Sequence, residues 1–307
     1  MDVRRIPLST GITLNVALAG PVEAPPVILL HGFPESHRTW RALVPLLGER
    51  FRLVMPDQRG FGGSDAPAEV AAYRIDRILG DMFALADALG IGVFALVGHD
   101  WGGAAAWAAA IKGSRFKNGP RITRLAIINA PHPVVFQKSL IEDAPQRAAS
   151  QYMNRFREPG MEPAIAAMTI PMFFDKSFAG HVDLASIAPA ERAAYIAEWS
   201  RPGVLTGMLN WYRASAIIVP EPGVTVPLPD WLLAAFPTIR IPVRVIWGMA
   251  DKALLPLQLH GLDRLCSDLS IVRLPGVGHF APWQAPDQVA AALMPFLSGE
   301  AGATGAA

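Results

Sequence analysis

Three residues in this sequence have side chains that could carry out a two-step displacement, and each follows an apolar run. Asp100 lies within residues 94–107 (FALVGHDWGGAAAW), with glycines at positions 98, 102 and 103. Small residues around one acid are typical of a strand-to-helix turn strained enough to expose a nucleophile. An aspartate, with an ordinary pKa of about 4, is ionised at neutral pH and attacks a saturated carbon without a base. We therefore expect an alkyl ester on Asp100, which a second group must hydrolyse.

Asp251 and His279 are the predicted second group. Asp251 ends the run VRVIWGMAD, and His279 ends the run IVRLPGVGH. The order nucleophile, acid, histidine is that of α/β-hydrolase triads, with His279 as base and Asp251 accepting from its Nδ1–H. A glycine-rich turn can also bind phosphate, but the ordered acid and histidine favour the triad. Asp263, inside an apparent helix, and Asn129, an amide, are weaker candidates for the acid.

The elements that must position these residues alternate between strands and helices. Apolar runs at residues 26–30, 52–55, 94–97, 125–128, 243–246 and 271–274 predict buried parallel strands. Helical patterns between them, notably at residues 75–89 and after the turn, predict a mostly parallel sheet with helices on both faces. The sequence therefore predicts an α/β-hydrolase fold with its reactive groups at the strand C-terminal ends.

The alternation stops between residues 133 and 239, where the chain becomes helical in character and rich in Met, Phe, Pro and Trp. We predict that this segment is a helical cap inserted into the core. The predicted organisation is core at 1–132, cap at 133–239, core again at 240–297 and a flexible tail at 298–307.

The composition limits the classes of molecule that this protein is expected to bind. The 27 Lys and Arg nearly balance the 26 Asp and Glu, so nucleic acid and anionic membrane are disfavoured and a small molecule is expected. One cysteine, Cys266, and an N-terminus without an apolar signal predict the reducing cytosol. No run is long enough for a membrane helix, and no ligand spacing indicates a metal or another cofactor.

Residues 31–34 (HGFP) follow the first buried strand, where such a hydrolase places one donor of its oxyanion hole. The main-chain N–H groups of Phe33 and Trp101 are the expected donors to the oxyanion that forms on Asp100.

The motifs together resemble the α/β-hydrolase-fold epoxide hydrolases over residues 6–297. The matching stretches are HGFPE at 31–35, GHDWGG at 98–103, YMNRFREPG at 152–160, NWYR at 210–213, Asp251 and GH at 278–279. The resemblance implies that Tyr152 and Tyr212 bind the epoxide oxygen, since an opening ring needs a proton and a phenol suits this. It also implies that Glu35, with His31, positions substrate or water.

Two other functions remain open at this point. A haloalkane dehalogenase uses the same nucleophile, but two cap tyrosines would then have no role; a non-catalytic ligand receptor of this fold is a further alternative. For an epoxide hydrolase we expect a small apolar substrate plus water. The predicted cavity lining is Phe33, Trp101, Met153, Phe173, Phe174 and Met208.

Overall fold

Eight strands form one sheet in the computed structural model, which describes residues 1–113, 121–233 and 236–300. Across the sheet the strand order is β1-β2-β4-β3-β5-β6-β7-β8. The strands are β1 (Asp2–Pro7), β2 (Thr13–Ala19), β3 (Pro26–Leu30), β4 (Arg52–Pro56), β5 (Phe94–His99), β6 (Ile122–Ile128), β7 (Val243–Gly248) and β8 (Leu269–Leu274). β1 pairs with β2 and β2 with β4 in antiparallel fashion, and the other neighbours are parallel. The predicted mostly parallel α/β-hydrolase sheet is confirmed.

The six predicted strands are all present, but the apolar-run pattern missed β1 and β2. β1 reads DVRRIP and exposes five of its six residues, so it carries no apolar run. β2 alternates buried and half-buried residues, as expected of an antiparallel strand near the edge of a sheet.

The helices lie on both faces of the sheet. They are α1 (Val44–Leu47), α2 (Ile75–Ala88), α3 (Asp100–Gly113), α4 (Pro133–Glu142), α5 (Ala144–Ala149), α6 (Tyr152–Arg157), α7 (Met161–Met168), α8 (Ile170–Phe178), α9 (Pro189–Trp199), α10 (Val204–Arg213), α11 (Asp230–Leu233), α12 (Ala281–Gln284) and α13 (Pro286–Ser298). In β3, Ile28 and Leu30 join the core beneath α2 and α3, whereas Val27 and Leu29 join the core beneath α1 and α13. β3 therefore buries both faces, which explains its unbroken apolar run.

Between β6 and β7 the described residues form helices α4 to α11 and no strand of the sheet. Polar contacts tie these helices to the core: Arg38 pairs with Glu198 at 2.8 Å, and the Trp211 indole donates to the Arg59 carbonyl at 3.0 Å. The boundaries of a cap at 133–239 stay a prediction. Of the predicted tail, Ser298 ends α13 and Glu300 pairs with Arg50, whereas 301–307 lie outside the described residues.

None of the described helices is both long and apolar enough to cross a membrane.

Gly98 lies where β5 meets α3, and replacing it with alanine should destabilise the fold. An added Cβ would lie 2.5 Å from the Gly102 carbonyl oxygen and 2.7 Å from Gly103 Cα, both main-chain atoms. We expect Gly98→Ala to lower the free energy of unfolding by about 2–3 kcal/mol in urea titration. Gly92→Ala is the matched control, because its Cβ would meet no atom within 4 Å. Equal midpoints for the two variants would contradict this account.

Candidate active site

Asp100 lies at the turn between β5 and α3, in a left-handed backbone conformation with φ of 50°. Only close main-chain packing accommodates this turn: a Cβ on Gly32 would overlap the Asp100 side chain, and one on Gly102 would overlap the Leu30 carbonyl oxygen. The Phe33 N–H donates to Asp100 Oδ1 at 2.7 Å. The glycines therefore allow the loop after β3 to deliver an N–H group directly to the carboxylate.

His279 lies between two carboxylates. Its Nδ1 is 2.8 Å from Asp251 Oδ2, and its Nε2 is 3.6 Å from Asp100 Oδ2. The other oxygen of Asp251 accepts hydrogen bonds from the Ala253 and Leu254 N–H groups, at 2.8 and 2.9 Å. The structure thus brings the three predicted residues Asp100, Asp251 and His279 together, although they are far apart in the sequence.

The charges in this group stabilise one another. Burial pushes the pKa of Asp100 upwards, but the adjacent His279 outweighs burial and holds that pKa below its ordinary value. The same holds for Asp251: burial raises its pKa, the His279 charge lowers it, and the resulting pKa lies below the ordinary value. Burial alone would lower the pKa of His279, but the Asp251 and Asp100 charges raise it well above the ordinary value. At neutral pH the free site therefore holds an imidazolium between two carboxylates.

Asn129 completes the surroundings of Asp251. Its amide Nδ2 donates to Asp251 Oδ2 at 2.8 Å, and its Oδ1 accepts from the Gly248 N–H at 2.9 Å. Its φ is 42°, a conformation in which asparagine is enriched among non-glycine residues. From the sequence alone, Asn129 was only a weak candidate for the acid of the triad. Its role as a donor to the acid could not be found without the tertiary structure.

Tyr152 and Tyr212 face the same space from two helices. Tyr152 begins α6, Tyr212 lies in α10, and their ring centroids are 6.1 Å apart. Arg157 joins the two helices by donating to the Tyr212 carbonyl oxygen at 3.0 Å and to the Ile217 carbonyl oxygen at 2.7 Å. Burial, reinforced by nearby negative charge, raises the pKa of both phenols well above the ordinary range. Both hydroxyls are therefore protonated donors at neutral pH.

The cavity at this site has two lobes that share Asp100, Tyr152 and Tyr212. The large lobe, about 330 Å³, is lined also by Phe33, Phe156, Lys176, His181, Lys252 and His279. The small lobe, about 80 Å³, is lined also by Trp101, Ala104, Pro131, Phe136, Met153 and Leu254. A substrate bound at Asp100 thus has room for substituents on both sides.

The lining differs from the sequence expectation in two respects. Phe33, Trp101 and Met153 do line the lobes, but Phe173, Phe174 and Met208 do not; all three are buried in the core cluster behind them. Polar residues Lys176, His181 and Lys252 line the large lobe instead. No motif singled them out, because they converge from a cap helix, the turn after it and a core loop.

Among the described residues, His31 and Glu35 are buried and line neither lobe, and their role in positioning substrate or water stays a prediction. The Gln58 N–H donates to His31 Nε2 at 3.0 Å, which leaves the proton on Nδ1 to bond the Gly32 carbonyl oxygen at 2.9 Å. Glu35 lies 3.0 Å from His99 Nδ1, and His99 Nε2 lies 2.9 Å from the His279 carbonyl oxygen. His31 holds the main chain around the site directly, and Glu35 is linked to the His279 main chain through the His99 ring.

Of the two expected oxyanion donors, the Phe33 N–H donates a hydrogen bond to Asp100 Oδ1. The role of the Trp101 N–H stays a prediction; its indole packs edge-on against Tyr212, with ring centroids 5.1 Å apart.

A mostly parallel sheet with an acid at a strand-to-helix turn, and an acid–histidine pair beyond later strands, defines a class of α/β enzymes. A family model described as the alpha/beta hydrolase fold matches residues 25–286. The chain therefore belongs to the α/β hydrolase fold family.

Individual relatives agree with this assignment. The chain is 32% identical to the AB hydrolase superfamily protein YfhM of Bacillus subtilis, covering 95% of this chain and 96% of that protein. It is also 32% identical to epoxide hydrolase A of Mycobacterium tuberculosis, over 95% of this chain and 96% of that protein.

Solved structures are similar over almost the whole chain. One, from work on novel epoxide hydrolases in metagenomes from hot environments, is 44% identical with a TM-score of 0.88, over 97% of this chain and 99% of that one. The Bacillus megaterium epoxide hydrolase bound to an inhibitor is 25% identical with a TM-score of 0.82, over 96% and 100%. The resemblance to epoxide hydrolases predicted from the motifs is confirmed.

Asn129→Gly tests the contact with Asp251, since glycine tolerates the positive φ but removes both hydrogen bonds. We expect the free energy of unfolding at neutral pH to fall by about 2 kcal/mol, because a buried carboxylate loses a donor and a buried N–H loses its acceptor. Urea titration measures this. Asn129→Asp has the same shape but should lose more stability at neutral pH, because its carboxylate repels that of Asp251. Its free energy of unfolding should rise again as the pH falls. Loss below about 0.5 kcal/mol in the glycine variant would contradict the assignment.

Proposed function

We propose that this protein is an epoxide hydrolase, which adds water to an epoxide and releases a vicinal diol. The observation that carries the proposal is that Tyr152 and Tyr212 line both lobes of the cavity together with Asp100. A carboxylate nucleophile facing two phenol donors suits a substrate whose leaving oxygen stays attached and must be protonated. The apolar walls of the small lobe suit an epoxide with an apolar substituent.

In the first step Asp100 Oδ2 attacks one epoxide carbon and the C–O bond to the ring oxygen breaks. Asp100 Oδ1 stays on the Phe33 N–H and becomes the carbonyl oxygen of the ester. The ring oxygen accepts a proton or a strong hydrogen bond from Tyr152 and Tyr212. Because their pKa values are raised, these phenols reach the reaction protonated.

The second step depends on a change in charge. Once Asp100 is an ester, His279 loses one of the two carboxylates that raise its pKa, and the imidazolium releases its proton more readily, which replaces the proton that the tyrosines gave to the ring oxygen. Neutral His279 then deprotonates water, which attacks the carbonyl carbon of the ester. When the tetrahedral intermediate collapses, its bond to the alkyl oxygen breaks, that oxygen takes a proton from His279 and the diol leaves, and the Asp100 carboxyl group returns its own proton to His279. Asp251 holds the Nδ1–H at 2.8 Å and stabilises the imidazolium that re-forms. Donors to the oxyanion, Phe33 N–H among them, stabilise the tetrahedral intermediate by about 3 kcal/mol each.

A His279→Gln variant should accumulate the ester, because the base that hydrolyses it is gone. After exposure to styrene oxide we expect the intact mass to rise by the mass of the whole epoxide. Asp100→Asn in the same background is the control and should gain no mass, since its amide is no nucleophile. A parallel sample with 1-bromobutane tests the dehalogenase alternative: an alkyl gain with the bromide alone would overturn the proposal. Binding of epoxide without any adduct would favour a receptor.

The tyrosines are tested by Tyr152→Phe and Tyr212→Phe. Each should slow ester formation from styrene oxide by about 10- to 100-fold, and the double variant should lose more, because the opening oxygen lacks its proton donors. Single-turnover kinetics measure that step. Tyr195→Phe is the control: this buried cap tyrosine lines neither lobe, and its hydroxyl has no partner among the described residues. Full activity of the double variant would exclude this role for the tyrosines.

A further inference from the structure

The two lobes of the cavity differ in charge. The small lobe is lined by apolar side chains apart from the shared Asp100, the shared tyrosines and the Trp101 indole. The large lobe carries Lys176 and Lys252, and Asp100 is the only acid among its described lining residues. A lobe with two ammonium groups and one carboxylate that is already paired with a histidine carries excess positive charge.

The two lysines come from different parts of the chain. Lys176 lies in α8 of the segment between β6 and β7, and Lys252 lies in the core loop after β7. Both side chains are exposed, and neither forms an ion pair within the described residues. The acids next to them in the sequence are engaged elsewhere: Asp175 pairs with Arg192 at 2.9 Å, and Asp251 pairs with His279. Their charge is therefore not neutralised by the protein.

His181 also lines the large lobe, near the reactive residues. Its ring centroid is 5.8 Å from that of His279, and it senses the positive charge of both His279 and Lys252. Burial, with these charges, lowers the pKa of His181 to about 4, so it is neutral at physiological pH. Apart from His279, which lies beside Asp100, the positive charge of the lobe therefore comes from the two exposed lysines, whose surroundings we call its rim.

We propose that the substrate is an epoxide with an apolar substituent in the small lobe and, in the large lobe, a substituent that ends in a carboxylate held by Lys176 and Lys252. This rests on the proposed function and names its substrate class. The lysines favour the anionic substrate by long-range attraction of its carboxylate. Because the rim is partly exposed to solvent, this attraction weakens as the salt concentration rises.

A matched pair of epoxides tests the proposal: 4-[(3-propyloxiran-2-yl)methoxy]benzoate and its uncharged methyl ester. The propyl group is chosen to occupy the small lobe, and the benzoate is chosen to reach Lys176 and Lys252 at the rim. The measured quantity is the ratio of kcat/KM for the acid to that for the ester. We expect a ratio above one at low salt, carried by KM, that falls several-fold at about 0.5 M NaCl.

Lys176→Met/Lys252→Met should lower this ratio by about tenfold, equivalent to about 1.4 kcal/mol. Lys176→Arg/Lys252→Arg keeps the charge and should keep the preference for the acid. Lys112→Met/Lys138→Met removes the same net charge from residues that do not line the cavity, and should leave the ratio unchanged.

The outcomes separate the two proposals. Turnover of the ester without preference for the acid, or a ratio insensitive to the methionine substitutions, overturns the carboxylate assignment alone. Failure of the wild-type protein to hydrolyse either compound, together with no adduct in His279→Gln, overturns the epoxide hydrolase proposal and this assignment with it.

Discussion

The main chain after β3 lies directly against the turn that carries Asp100, and the rest of the site depends on this contact. No side chain fits between the two segments, since a Cβ on Gly32 or Gly102 would overlap its neighbours. The contact places the Phe33 N–H on Asp100 Oδ1 and turns the other oxygen toward His279. The strained φ of Asp100 is maintained because β3 and β5 are adjacent in the sheet and hold both segments in place.

From this turn the electrostatics of the site follow. His279 is buried between two carboxylates, so its charge and theirs are mutually dependent. In the proposed mechanism the nucleophile therefore also controls the base: esterification of Asp100 removes one negative charge and lowers the proton affinity of His279. Asn129 and the loop after Asp251 keep the second carboxylate in place through hydrogen bonds, so that only one partner of the histidine changes during turnover.

The helices between β6 and β7 supply the other half of the cavity. They bring the phenols of Tyr152 and Tyr212, which are the proton donors in the proposed mechanism, and the ammonium group of Lys176 into the cavity lining. Arg157 joins α6 to α10 through main-chain carbonyls, so the two tyrosines are held relative to each other. In the proposed function, specificity therefore depends on these helices, while the nucleophile, the acid and the base remain on the core.

The sequence by itself determined the parallel part of the sheet, the turn at Asp100 and the identity of the acid and histidine. These are local signals: an unbroken apolar run for a strand buried on both faces, and glycines where backbones touch. β1 was missed because it is exposed and has no apolar run, and β2 because polar and apolar residues are mixed along it. Only the tertiary structure decided that Asn129 supports Asp251, that His31 and Glu35 line neither lobe of the cavity, and that two lysines from separate segments line its large lobe. Each of these depends on contacts between segments far apart in the chain, and no local pattern of residues encodes such a distance.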